Sequence, residues 1–348
     1  MSLSITFKKH RLKFNFVAGT SRGTMKERET YILKVVDTNN PGVIGLGECA
    51  PLAGLSIDDR PDYETELAKK CELLNGLQMP RGLKDIVVCL RDLITSEWPS
   101  LYLGFEMALM DLLNGGNGIL FHNEFSEGKE PIPINGLIWM GDRDFMRQQI
   151  KQKVKAGYTC LKMKVGAIDF EQELRLLTYM RELAPNAIIR VDANGAFKYE
   201  EAQKKLDQLA SIKIHSIEQP LAAGNPMQMK ELSQNSIIPI ALDEELIGIN
   251  SSKSKSALLE ETDPKYVVLK PSLLGGFHAT EEWTKLAEEK GIGWWITSAL
   301  ESNVGLNAIS QFTASLNYEG HQGLGTGQLY TNNIGSPLRI SRGLLFFK

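Results

Sequence analysis

The sequence predicts an α/β protein, a closed βα barrel accompanied by a separate α+β unit. Three observations lead there. Lys164, Asp192, Glu218, Asp243 and Lys270 follow one another at intervals of 28, 26, 25 and 27 residues, and one strand, one helix and their loops consume about 25 to 30 residues. Each charge ends a short aliphatic run (TCLKMKV, IIRVDAN, IHSIEQP, IPIALDEE, YVVLKPS) that breaks into polar or Gly/Pro text just after it, as a strand does. Between the runs, stretches such as 170–183, 199–209 and 279–290 place apolar residues three and four apart, the period of an amphipathic helix. Strands and helices alternating at this period make a parallel sheet. So many units favour closure into a barrel, whose C-terminal strand ends meet at one mouth.

Residues 1–125 follow another pattern and are expected to form the α+β unit. Residues 3–17 and 30–37 alternate as two antiparallel strands joined through a Gly-, Ser- and Arg-bearing turn around 19–23. After GLGECAPLAGLS come helical stretches over 63–75, 83–96 and 100–114, with no strand between them. The polar, glycine-bearing stretch 114–130 reads as a linker, and PIPINGLIWM as the first strand of a barrel over 126–330. HQGLGTGQLY is the eighth-strand candidate. The strand-like SPLRISRGLLFF, within the tail 331–348, is expected to fold back onto the first unit.

Hydrophobic residues make up 43% of the 348 and charged ones 23%, an ordinary globular balance in a chain too long for one core. No apolar run approaches the ~18 residues that span a membrane, and MSLSITFKKHRLKF lacks an apolar signal core. A cytoplasmic protein without a membrane partner is expected. Lys and Arg number 39 against 42 Asp and Glu, a net charge of −3 with no basic cluster, which argues against nucleic acid and for a small-molecule partner. Cys49, Cys71, Cys89 and Cys160 lack paired spacing, which speaks against structural zinc and a disulfide framework. The sequence sets no oligomeric state and leaves a homo-oligomer open.

In TCLKMKV the two-residue period puts Lys162 and Lys164 on one face, pointing into the barrel. Two ammonium groups buried side by side are costly, since burial and like charge both disfavour the charged form. A solvated edge strand would avoid that cost, but the apolar flanks weigh against it. The functional reading is that one lysine's pKa falls from about 10.4 far enough to make a neutral base. Asp192, Glu218 and Asp243 end three consecutive strands and would be neighbours at the mouth, although any one of them alone could cap a helix. Together they would repel one another unless a cation joined them. An oxygen-only set suits magnesium, with manganese as a substitute and positions left for water and substrate. Asn194 and Glu244 are placed to orient these ligands or the lysines. Lys270 lies across the mouth from Lys164. An acid held between two lysines with a metal at its edge suits removal of a proton from the carbon beside a carboxylate. The base then supplies roughly 10²- to 10⁴-fold, and charge stabilisation must supply more.

LKMKVG, VDANGAF, SIEQPL, ALDEEL and VLKPSLLGG, in this order and spacing, resemble the enolase superfamily, in the subgroup that includes muconate cycloisomerase. The resemblance covers almost the whole chain. GECAPLAGLS is similar to the mobile loop of that superfamily's capping domain, and SLYLGFEMALMDLL to the helix before the barrel. A (β/α)7β TIM-like barrel under an α+β capping domain is implied. Carried over position by position, the resemblance implies Lys164 as the base and then the proton donor, Lys162 as the residue that tunes it, and Lys270 as stabiliser of an enediolate. Asp192, Glu218 and Asp243 would hold magnesium. Arg22 in the 19–22 loop, Leu52 in the 52–55 loop, Ser298, Glu301, Gly325 and Thr326 would shape the pocket for the distal part of a small-molecule carboxylate substrate. Ser298 and Glu301 have a second reading as caps of a helix starting near Asn303. SALESNVG and GLGTGQLY are most similar to the subgroup's dehydratase of menaquinone synthesis, so a carbon–oxygen lyase is expected. N-succinylamino acid racemases and dipeptide epimerases need the same metal and lysine pair, but GLGTGQ lacks the paired aspartates with which the epimerases hold a substrate ammonium. A barrel that merely bound a metal-chelated acid would need no neutral base.

Overall fold

The computed structural model describes residues 2–20 and 23–348. The first unit is a sheet of three antiparallel strands in chain order, β1 (Leu3–Thr20), β2 (Gly23–Asp37) and β3 (Asn40–Cys49), followed by α1 (Tyr63–Leu74), α2 (Leu83–Leu93) and α3 (Pro99–Leu113). β2 begins before the expected residue 30, and β3 falls where no strand is expected. Its GVIGLGEC text is poor strand material because glycine is depleted in strands. The reason lies in its neighbour. α3 lies so close to β3 that a Cβ on Gly45 would stand 2.1 Å from Ala108 O, and one on Gly47 2.0 Å from Gly104 O. Glycine inside a strand marks this kind of backbone approach. α3 itself is buried along nearly its whole length, as an all-round apolar helix must be.

The barrel begins with β4 (Ile132–Pro133), β5 (Gly136–Ile138), α4 (Arg143–Lys155), β6 (Cys160–Lys164), α5 (Phe170–Leu183), β7 (Ile188–Asp192) and α6 (Tyr199–Ala210). It continues with β8 (Ser216–Glu218), α7 (Pro226–Asn235), β9 (Ile240–Leu242), α8 (Ser252–Thr262) and β10 (Tyr266–Leu269). The short α9 (Pro271–Leu274), α10 (Gly276–Glu289), β11 (Gly293–Ile296) and α11 (Asn303–Ala314) complete it. β5 to β11 form one parallel sheet in chain order. The ring closes through residues 322 and 323, which bridge in parallel to Ile134 and Thr297. Asn135 N–H donates to Gln322 O at 3.0 Å and Gly323 N–H to Ile296 O at 2.7 Å. The architecture is therefore (β/α)7β, with its eighth strand reduced to these bridges. Glycine is required there because a Cβ on Gly323 would stand 2.2 Å from Thr297 Oγ1.

PIPINGLIWM is split rather than forming one strand. β5 enters the barrel, whereas β4 pairs antiparallel with β13 (Leu344–Phe347), the hairpin partner of β12 (Leu338–Ser341). The tail's strands thus close the base of the barrel instead of joining the first sheet. The segment just before them does reach the first unit, where Thr331 N–H donates to Lys13 O at 2.9 Å.

Three further contacts tie the first unit to the barrel. The β1–β2 hairpin reaches over the mouth: Gly19 bridges Met140, and Phe14 and Phe16 pack edge-on against Trp139 with ring centroids 6.3 and 5.6 Å apart. Glu48 on β3 accepts Ser302 N–H at 2.7 Å, Gly305 N–H at 2.8 Å and the Thr30 and Ser302 hydroxyls, so an anion of the first unit sits on the positive end of α11. On the far side of α3, Glu106 accepts Phe277 N–H at 2.7 Å at the start of α10. Burial pushes the Glu106 pKa up to about 8, against backbone donors that pull it down.

Gly47→Ala is expected to lower the unfolding free energy by about 1–3 kcal/mol, the range for overpacking, as read by urea denaturation. Unchanged stability would mean that α3 can move aside. Glu106 keeps its proton in the folded state up to about pH 8 but loses it near 4.5 when unfolded. With more protons bound when folded, stability falls as pH rises between those values, by up to about 1.4 kcal/mol per unit. Glu106→Gln should flatten this slope across a denaturation series, and an unaltered slope would refute the assignment.

Candidate active site

The strands β6 to β10 bring their charges to the mouth by the same rule. Alternation along β6 turns Lys162 and Lys164 inward, and all five residues of the strand are buried. Register sets Lys164 beside Asp192 and Asp192 beside Glu218. Asp243 and Lys270 follow directly on β9 and β10. β6 and β10 stand on opposite sides of the closed ring, so Lys164 and Lys270 enter the mouth facing each other.

The six groups are paired by opposite charge. Lys162 Nζ lies 2.5 Å from Glu218 Oε2 and 3.0 Å from Asp192 Oδ2. Lys164 Nζ lies 2.9 Å from the same aspartate oxygen and donates to Asn194 Oδ1 at 2.7 Å. Asn194 donates onward to Glu244 Oε1 at 3.1 Å, and Lys270 Nζ donates to Asp243 Oδ2. Burial alone would lower the Lys162 pKa, but Asp192, Glu218 and Asp243 outweigh it and hold the ammonium above its ordinary value. Lys270 is raised in the same way: burial opposes, and Asp243, Glu218 and Glu244 prevail. The expectation that burial lowers a lysine is therefore reversed at these two, because the desolvated carboxylates lie within contact distance. Burial pushes Asp192 up, yet Lys162, Lys164 and Lys270 bring it well below the usual carboxylate range. Glu218 has one close ammonium where Asp192 has two. Burial and repulsion from Asp192 push it up to about 8.

Among the described residues, no three His, Cys, Asp or Glu are gathered as a ready cation cluster. The carboxylates are turned onto lysines instead. The donor set nevertheless fits a hard divalent cation: three acids at adjacent strand ends supply oxygen ligands only, and Glu218 Oε1 is buried with no hydrogen-bond partner.

Above the charges lies a cavity of about 290 Å³. Lys162, Lys164, Asp192, Asn194 and Lys270 form one end of its lining. Leu52, Ser298, Gly325 and Thr326 line the rest together with Trp139 and Leu300, and Ser298 and Thr326 share a 2.6 Å hydroxyl–hydroxyl bond. Glu301 does not line the cavity. The chain takes a left-handed turn at Leu300, with φ of 67°, and Glu301 is fully buried behind it, accepting the Ser272 hydroxyl. Neither Ser298 nor Glu301 caps α11; Ser302 does, accepting Val304 N–H at 3.2 Å. Arg22 lies outside the described residues.

Two buried residues that hold the site were not singled out from sequence. Gln219, left-handed with φ of 39°, accepts Asp243 N–H at 3.0 Å and Glu245 N–H at 3.3 Å, and donates to Glu245 Oε2 at 3.0 Å. It fixes the turn carrying Asp243 from the end of the preceding strand. The only sequence signal is an amide immediately after an inward charge. Arg28 on β2 donates to the carbonyls of Pro51, Ala299 and Leu300, and nothing in the alternation of β2 marks it.

Comparison with known proteins agrees with this geometry. A family model described as enolase C-terminal domain-like matches residues 145–346. The o-succinylbenzoate synthase of Desulfotalea psychrophila is 44% identical, over 99% of this chain and 98% of its own. The crystal structure of MenC from Desulfotalea psychrophila LSv54 superposes with a TM-score of 0.89 at 41% identity, covering 99% of this chain and all of that one. The N-succinylamino acid racemase of Thermus thermophilus is 31% identical over 84% of this chain and 77% of its own. The chain belongs to the enolase superfamily.

Proposed function

We propose that this chain is the o-succinylbenzoate synthase of a menaquinone pathway, dehydrating 2-succinyl-6-hydroxy-2,4-cyclohexadiene-1-carboxylate to 2-succinylbenzoate. The observation that carries the reading is the 44% identity to a synthase of that name along 99% of the chain. The site supports it with chemistry that suits the reaction.

Lys164, as the free amine, takes the proton from C1 of the ring. The C–H electron pair moves toward the carboxylate, and Lys270, on the opposite side of the mouth, offers its charge to the oxygens where negative charge grows. The electrons then return and expel the C6 hydroxyl, which leaves as water with the proton that Lys164 gained from C1. The ring becomes aromatic, one water is released, and Lys164 is neutral again. A single residue can serve both steps because the proton and the hydroxyl leave from the same face. Lys162, between Asp192 and Glu218, adds a positive charge beside the base. Asp192, Glu218 and Asp243 would hold magnesium, which when bound supplies Lewis-acid stabilisation of the developing carboxylate charge. Residues 1–125 act as the cap over the 126–330 barrel. No described helix is long and apolar enough to cross a membrane, and the reading places the reaction in the cytoplasm.

A second reading, N-succinylamino acid racemisation, is favoured by the relative at 31% identity and by lysines on both faces. It would use Lys270 to return the proton from the other side.

Purified protein with magnesium should turn over the cyclohexadiene substrate, followed by loss of its ultraviolet absorbance. Lys164→Ala should lower kcat by at least about 10³-fold, in line with loss of a general base. A wild type inert to this compound that racemises N-succinylamino acids would replace the first reading with the second. Exhaustive EDTA treatment should abolish activity and magnesium should restore it; activity that survives chelation would rule out an essential cation.

A further inference from the structure

Arg28 is not part of the cavity wall, yet it joins the two loops that build it. The residue is 6% exposed, and its Nη1 donates to Ala299 O at 2.5 Å and to Leu300 O at 2.7 Å, while Nη2 donates to Pro51 O at 3.1 Å. Pro51 opens the loop whose Leu52, Ala53 and Leu55 face the cavity from the first unit; Ser298, Ala299 and Leu300 face it from the barrel. Neighbouring carbonyls suit a planar guanidinium fork, whose donors are fixed relative to one another, better than a flexible ammonium.

The loop that Arg28 holds is strained. Leu300 is left-handed, a region that L-residues with a side chain leave unless their surroundings over-determine it, and such residues cluster at ligand clamps. Its carbonyl also accepts the Tyr330 hydroxyl at 2.6 Å. The left-handed turn places the Leu300 side chain against the cavity while it sends Glu301 behind the wall, where the glutamate faces the Arg28 charge.

The geometry points to Arg28 as a positioning residue for substrate specificity. It clamps the 298–300 wall against the 51–55 loop in the shape that receives the substrate's distal arm, while the lysines work on the ring carboxylate. This rests on the function proposed above, in which the arm is a succinyl group.

Binding of 2-succinylbenzoate and of benzoate, which lacks the arm, is measured by calorimetry for the wild type, Arg28→Met and Arg28→Lys in the presence of magnesium. Steady-state constants are measured alongside. Arg28→Met should weaken 2-succinylbenzoate about tenfold or more and leave benzoate within about twofold, with KM rising more than kcat falls. Arg28→Lys should recover part of the loss. Equal weakening of both ligands, or of neither, overturns the proposal. Should Arg28→Met fail to fold, Tyr330→Phe removes one donor from Leu300 O and keeps the charge. It is expected to show the same selective loss to a smaller degree, and a non-selective or absent effect again overturns the proposal. Failure of the function itself would be seen in the wild type, as absent turnover of the cyclohexadiene acid, whereas failure of the Arg28 assignment is seen only between the wild type and its variants.

Discussion

Three lysines and three carboxylates buried at one barrel mouth are each desolvated, and any of them left alone would either neutralise or destabilise the fold. They are tolerated because each ammonium meets a carboxylate within hydrogen-bond reach. Asp192 accepts from two lysines and drops in pKa; Glu218, with one, rises. That imbalance leaves the carboxylate side of the network able to accept another cation. It also ties the protonation of the lysines to whatever the carboxylates bind. The reaction proposed above needs a base that alternates between neutral amine and ammonium, and groups whose charge depends on their neighbours suit that need.

The network needs a rigid surround, and the backbone supplies it at some cost. Asn194 and Gln219 lie in the left-handed region immediately after two of the charged strands, and Leu300 does so at the loop beyond β11. Each is held by buried or part-buried hydrogen bonds of its own side chain or carbonyl. Strain placed just past the strand ends, where buried partners over-determine the backbone, lets the loops turn sharply without loosening the charges.

The first unit contributes by closing the site. Glu48 seats it on the N-terminus of α11, Arg28 binds the loops on either side of the cavity, and Phe14 and Phe16 bring the hairpin over Trp139. All three contacts involve side chains far apart in the chain. None has a local periodic signal, which is why Glu48 and Arg28 pass unnoticed among the other charges of their strands. The same reason hides β3: Gly45 and Gly47 contradict strand propensity and make sense only once α3 is laid against them.

The barrel and its five mouth charges were legible because both depend on local chemistry: a strand alternates every two residues, a helix every three to four, and a charge at a strand end is recognisable from its neighbours alone. The resemblance then supplied the roles. Who pairs with whom was left to the closed ring. Closure sets Lys164 opposite Lys270, reduces the eighth strand to Gln322 and Gly323, sends the tail to β4, and turns Glu301 away from the cavity where a linear reading had placed it. Those features depend on contacts between segments that lie apart in the chain, and the free energy that fixes them is burial and pairing in three dimensions, which no local pattern carries.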